Sequence, residues 1–508
     1  MVIASSLPSP GLIAAALIGA LLIAGALSLL MLRLPDALPM LAVFALPFRL
    51  PISADGRTVN LLIPLYLVVV AGIIARWLAP SLSRRAALAA GTGTPGAPSL
   101  RAALAAGKGS PGKGSPGAPG ERARPGAGLR EAALRMRTAG FWRGPSGLEA
   151  LLAIAVILYA LQATYSADHA KAGENLAFFY IPFGLLFLLL RSVSWTRRLL
   201  LRCLGEVVGL AVIFAAIGFV EYYRKSLFLN PKVVAADQFD NYFRVNSLFF
   251  DPNIYGRFLM LVMIAVMAIV LWTRSRRDVL IGAGILIWLL AGLVTSFSQS
   301  SIAALLLGLA VLAANRWDVR STIYISGALV AIAAVFVAVA PASLHFGLKG
   351  SNGSTSNATS GRGKLISGGL HLFADRPLEG YGSGSFEREY RRHQHTGSEN
   401  ATSASHTIPI TVAAEQGILG LAVYVALILI AISVLFTGAG RSPPRIALAA
   451  GFLALVLHTW TYADFLEDPF TWTILAIGVA LARAAGEAGE AAETGAGLPR
   501  PEPITPLS

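Results

Sequence analysis

The chain reads as all-α, a polytopic integral membrane protein of about 12–13 transmembrane helices with one large extracytoplasmic loop between late spans. Three observations predict this. Hydrophobic residues make up 55% of the 508 and charged residues 13%, where a soluble chain carries about 25% charged. The mean hydropathy is +0.65. The apolar residues also fall in runs close to the ~20 residues that cross hydrocarbon, and the short basic connections between them alternate along the chain.

The runs follow in order. Residues 11–32 are too long for a signal-peptide core and no basic stretch precedes them, so they are expected to be a retained first span. Residues 37–50 are short and hold two prolines, Pro39 and Pro47, which leaves this span open and the total at twelve or thirteen. Residues 61–78 complete the first group. Later runs are 150–165, 175–190, a span ending near Tyr223, 255–272, 279–294, 302–314, 322–340, 407–436, 446–462 and 469–482. The single cysteine, Cys203, excludes an intramolecular disulfide and a cysteine metal cage, and is expected in the core.

The net charge of +14 has a local source. Eleven basic residues lie between Arg84 and Arg143, against only Glu121 and Glu131. The same stretch repeats RAALAAG at 85–91 and 101–107 and runs GKGSPGKGSPG at 107–117. Such sequence cannot bury enough apolar surface to offset chain entropy, so a disordered loop is predicted. Its charge follows the positive-inside rule and suits anionic headgroups. Nucleic acid is not a predicted partner; the membrane is.

Fixing that loop on the cytoplasmic side sets the remaining topology. Residues 1–81 hold the first spans, 82–145 the basic cytoplasmic loop, and 146–341 the central spans with an outer segment at 225–250. Residues 342–406 form the large extracytoplasmic loop, 407–485 the last spans, and 486–508 a cytoplasmic tail. The turns with Arg191 and Arg198, Arg274 and Arg277, Arg320, and Arg441 and Arg445 then all fall inside. A loop of roughly sixty residues exceeds the usual connection length, which marks it as functional or disordered.

Five of seven histidines, His345, His371, His393, His395 and His406, lie in or beside that loop. His406 stands just before a long helix, with Thr407 expected as N-cap and Pro409 in the first turn. The positive end of the helix disfavours imidazolium, so a neutral ring able to accept a proton is expected, beside the plainer role of an interfacial histidine. His393 and His395 have no third ligand at fixed spacing, and no metal is predicted. Glu415 lies two turns into the same helix, where a carboxylate is costly. Gly417 and Gly420 offer a small-residue face for helix packing. On the other outer segment, Arg244 precedes Asp251-Pro252-Asn253, which is expected to start a helix. A guanidinium there suits a phosphate.

As a set these patterns resemble the O-antigen ligase family, within the wider group of envelope polysaccharide ligases and polymerases. The family's His-[Asn/Ser/Gln]-x9-Gly-x-x-Gly pattern maps onto His406, Thr407, Gly417 and Gly420, with Thr407 a departure. Its Arg-x-x-x-Leu maps onto Arg244 and Leu248. The stretch FADRPLEGYGSGSF at 373–386 is similar to its loop signature, and SQSSIAAL at 298–305 to the opening of a later span. Gln299 stands where many members have arginine, so a second phosphate-binding arginine would come from Arg376, Arg388, Arg391 or Arg392.

The resemblance implies glycosyl transfer from a polyprenyl-diphosphate-linked glycan donor to a hydroxyl of a lipid or envelope-glycan acceptor, on the outer face of a bacterial cytoplasmic membrane. It implies inversion, with no metal or other cofactor. His406 would be the base, Glu415 a polar support, and Arg244 the diphosphate ligand. No nucleotide-binding P-loop is found in the sequence. A polymerase with the same chemistry remains open, as does a lipid-linked glycan flippase.

Overall fold

The computed structural model describes residues 10–54, 57–89, 142, 144–228, 243–317, 320, 356–394 and 407–493. The predicted span 322–340, His345, His395 and His406, most of the basic loop, residues 229–242 and the tail beyond 493 lie outside them.

Among the described residues, ten helices are long and apolar enough to cross a membrane, with Ile63–Ala79 a shorter apolar one. The chain is therefore a polytopic helical membrane protein. Helix α1 (Pro10–Arg33) packs on α3 (Ile63–Ala89), where Ser28 Oγ donates to Ala71 O at 2.9 Å. Between them α2 (Ala37–Ala45) has only 9 residues. At 1.5 Å per residue it rises about 13 Å, under half of the hydrocarbon core. The open span at 37–50 is thus not a crossing helix. The chain continues from it as an antiparallel hairpin, β1 (Leu50–Ala54) with β2 (Arg57–Leu61), pairing Leu50 with Leu61 and Ala54 with Arg57.

Next come α4 (Pro145–Ala163) and a span in three parts: α5 (His169–Asn175), a π-helical turn at Leu176–Tyr180, and α6 (Ile181–Leu190). Then follow α7 (Arg197–Arg224), α8 (Pro252–Trp272), α9 (Arg276–Thr295) and α10 (Gln299–Arg316). Two helices lie in the large loop, α11 (Ser356–Asp375) and α12 (Phe386–Gln394). The last spans are α13 (Ile408–Phe436), α14 (Pro443–Thr461) and α15 (Pro469–Glu493).

Local chemistry sets many of these boundaries. The side chains of Thr196, Asp251, Ser275 and Ser298 accept backbone N–H bonds at the starts of α7, α8, α9 and α10. Thr407 holds the N-cap position of α13 with Pro409 in its first turn, as the sequence predicted.

Helices α8 and α14 form the centre and are the most buried of these spans, while α1 is the least. Leu21, Ile157, Leu280, Ile287 and Leu429 point out of the bundle, as hydrocarbon-facing residues should. At one end of the bundle Glu149 pairs with Arg191 and with Arg483, the latter at 2.9 Å, and Arg202 pairs with Asp36 at 2.7 Å. The opposite end carries the large loop and the polar residues described next.

Candidate active site

Helix α13 is broken at Gly417, whose backbone is non-helical at φ 63°, ψ −163°. A side chain is strained in that region, and a Cβ here would lie 2.2 Å from Leu378 O. The break frees backbone groups on both sides for the large loop. Ile418 N donates to Pro377 O at 2.8 Å, Tyr381 N to Ala414 O at 3.2 Å, and Gly382 N to Glu415 O at 2.8 Å. Gln162 of α4 donates its Nε2 to Gln416 O at 3.1 Å. Gly380, at φ 68°, makes the matching approach from the loop, because a Cβ there would meet Glu415 O at 2.3 Å. At Gly420 a Cβ would lie 2.1 Å from Gln416 Cβ, so this glycine makes room for a side chain of its own helix. The expected helix-packing face is therefore corrected: Gly417 receives the loop and Gly420 receives Gln416.

Glu415 is buried in this joint. Its Oε2 accepts from Gly384 N at 2.9 Å and its Oε1 from Phe386 N at 3.0 Å. It thus satisfies donors where α12 begins, a position that favours negative charge. A second buried carboxylate does the same elsewhere. Glu221, near the end of α7, accepts from Ser247 N at 2.7 Å and Phe228 N at 3.0 Å. It holds the segment that carries Arg244.

Arg244 is half-buried beside the junction of α9 and α10. Its Nε donates to Ser296 O and its Nη2 to Asn253 Oδ1, both at 3.2 Å. Ser247 and Phe297 flank this seat with positive φ of 51° and 50°. Such geometry persists only where the surroundings enforce it.

Asn253 connects Arg244 to a polar chain through the centre of the bundle. Ser298 Oγ donates to Asn253 Oδ1 at 3.0 Å and lies 2.8 Å from Ser301 Oγ. Ser301 Oγ is 3.0 Å from His458 Nε2, and His458 Nδ1 accepts from Arg257 Nε at 3.2 Å. Arg257 is completely buried, paired with Asp468, and donates to Ala463 O at 2.6 Å and Asp464 O at 3.3 Å. A buried charge is tolerated only with partners of this kind.

The same segment, 462–468, walls a cavity of about 70 Å³ lined by Tyr159, Tyr180, Glu415, Tyr424, Asp464 and Glu467 among others. Asn175 Nδ2 donates to Glu467 Oε1 and to Tyr159 Oη, each at 2.9 Å. Burial, with the nearby Asp464 carboxylate, pushes Glu467 up to about 8, against the pull of Lys171. Burial also raises Asp464, whose backbone is left-handed at φ 66°. These groups meet at the π-helical turn, and such turns are frequent at functional sites.

The loop arginines are engaged near their own positions. Arg376 lies over the Tyr381 ring at 4.6 Å, and Arg388 donates to Ala167 O. Arg391 pairs with Glu387 at 2.5 Å, and Arg392 is 3.8 Å from Glu389. Gln299 is exposed at the start of α10. His371 is exposed on α11, and His393 lies 3.3 Å from Tyr381 Oη. The structure thus joins Arg244 through buried residues to the segment lining Glu415's cavity, while the loop arginines sit on other partners. Sequence reasoning missed Glu221, Arg257, His458, Asp464, Glu467 and Asp468. The available signal was ionisable residues within or between apolar runs, which are costly there and hence informative.

No curated protein matches the chain. Residues 284–425, from within α9 to the middle of α13, match the family model described as O-Antigen ligase. That match bears out, for this region of the chain, the resemblance read from the motifs.

Proposed function

We propose that this protein transfers a glycan from a polyprenyl-diphosphate carrier to an acceptor hydroxyl at the extracytoplasmic face of the membrane. The acceptor oxygen attacks the anomeric carbon as the bond to the diphosphate oxygen breaks, inverting the centre. The electron pair leaves with the diphosphate, and the acceptor's proton passes to the ring of His406. No metal enters this scheme; Arg244 meets the charge that develops on the leaving group.

The observation that carries the proposal is the seat of Arg244. Ser296 O and Asn253 Oδ1 both accept from its guanidinium and hold it in a set orientation. A fixed cation of this kind stabilises a leaving diphosphate without reorganising during the reaction. Glu415 is a positioning residue in this scheme, because its oxygens hold the loop that reaches α13. A second diphosphate ligand is sought among Arg376, Arg388, Arg391 and Arg392.

The test uses the full chain in lipid nanodiscs with a synthetic carrier-linked glycan and measures single-turnover transfer. His406→Ala is expected to lose on the order of 100-fold or more in rate, the usual worth of a general base. Arg244→Ala is expected to lose a comparable factor. Full transfer by His406→Ala would remove the base assignment. In cells, long carrier-linked glycan accumulating in the variants marks a ligase, and loss of long chains marks a polymerase.

A further inference from the structure

We propose that His458 is a positioning residue for Arg244, acting through a one-way chain of hydrogen bonds that ends on Asn253. The inference rests on the reading of Arg244 as the diphosphate ligand. Donor inventory fixes the direction at the origin of the chain, and the distances set it along the serines. A guanidinium only donates, so the 3.2 Å contact from Arg257 Nε requires His458 Nδ1 to accept. The ring hydrogen of the neutral imidazole is then on Nε2, which donates to Ser301 Oγ at 3.0 Å, with Ser300 Oγ at 3.3 Å as a second acceptor. Ser301 Oγ passes its own hydrogen to Ser298 Oγ, 2.8 Å away, in preference to Asn253 O at 3.5 Å. Ser298 Oγ in turn donates to Asn253 Oδ1 at 3.0 Å.

The consequence appears at Asn253. Its Oδ1 is the atom that accepts from Arg244 Nη2. An inverted amide would set N–H groups against both Ser298's hydrogen and the guanidinium. The first link cannot reverse, because Arg257 has no lone pair to offer, and the shortest contacts then run from Ser301 to Ser298 and on to Asn253 Oδ1. Arg257 is in turn fixed by Asp468 and by Ala463 O. Every link from Arg257 through His458 and Ser301 to Ser298 is buried, which keeps bulk solvent from competing for these bonds. The segment 462–468 thus supports, four side chains away, the face that Asn253 turns to Arg244.

The test is a double-mutant cycle on the full chain in nanodiscs, reading the affinity for a fluorescent polyprenyl diphosphate that carries no sugar. His458→Phe, and separately Ser300→Ala combined with Ser301→Ala, are each expected to weaken binding roughly tenfold. In an Arg244→Ala background neither is expected to weaken it further. His458→Gln, which offers one acceptor and one donor, is expected to recover part of the loss. Losses that repeat in full in the Arg244→Ala background overturn the proposal, since they mark a structural role only. If Arg244→Ala itself leaves binding unchanged, the diphosphate reading fails instead. The coupling is then judged from melting temperatures: a non-additive cycle between His458→Phe and Arg244→Ala upholds it, and an additive one overturns it.

Discussion

Two kinds of carboxylate meet at the loop end of this bundle. Glu221 and Glu415 each accept two backbone N–H groups from a connecting segment, one bond to each oxygen. Glu467 accepts one side-chain amide and shares its surroundings with Asp464. The difference teaches what makes a buried carboxylate a fixture. Backbone donors aimed at both oxygens tie a loop to a helix. A single donor and a like charge leave a group that holds its proton. Glu415 and Glu467 line the same cavity, and what separates them is what they hold: Glu415 clamps backbone N–H groups of the loop, and Glu467 holds a side-chain amide.

The largest expected effect comes from destroying the surface on which one fixture is built. Gly417→Ala places a Cβ in a left-handed backbone, against Leu378 O. Strain and overpacking together are expected to cost about 3 kcal/mol or more. Thermal unfolding and proteolysis of the 377–394 region are the measurements. Gly209→Ala is the control, because nothing lies within 4 Å of its Cβ. Equal stability of the two variants would show that the loop does not depend on the break in α13.

A smaller effect compares the fixtures directly. Glu415→Gln and Glu221→Gln each turn one acceptor oxygen into a donor facing a backbone N–H. Each is expected to lose about 2–3 kcal/mol, the worth of a hydrogen bond to a charged group together with the donor left unpaired. Hydrogen exchange should rise at 384–394 in the first variant and at 243–250 in the second. Exchange that rises equally in both regions in both variants would mean a general loosening, and the two clamps would not be separate devices.

The helices were legible from the sequence because lipid requires each crossing segment to be apolar and internally hydrogen-bonded, which leaves long, plain runs. What the runs could not convey was departure from helix. Pro39 and Pro47 made 37–50 doubtful, and the structure has a short helix and a hairpin there. The hairpin's signal was Asp55-Gly56, the dipeptide favoured between two paired strands, standing between short apolar stretches. The glycines at 417 and 420 were visible as a motif, but their role depends on Leu378 and Gln416, one of them distant in sequence. Arg244 and Glu415 stood out because each lies in a recognisable pattern. Arg257, His458 and Asp468 did not, since their partners lie some two hundred residues apart. A lone polar residue in an apolar run announces that it has a partner without saying which.

The subtlest test of the comparison is the pH dependence of Glu467. Its carboxyl lies at about 8 in the folded protein, raised by burial and by Asp464, with Glu415 adding to the rise and Lys171 and Arg49 opposing it. The unfolded chain loses that proton in the ordinary carboxylate range, so the folded state binds more protons between the two values. Stability from this group is therefore present at low pH and declines as pH rises toward about 8. Glu467→Gln keeps an oxygen for Asn175 and carries no charge at any pH. The variant should match wild type near pH ~5 and exceed it by a few degrees in melting temperature near pH ~8. If Glu467→Gln differs from wild type by the same amount at every pH, the folded protein holds no extra proton at Glu467, and the raised carboxyl is not there.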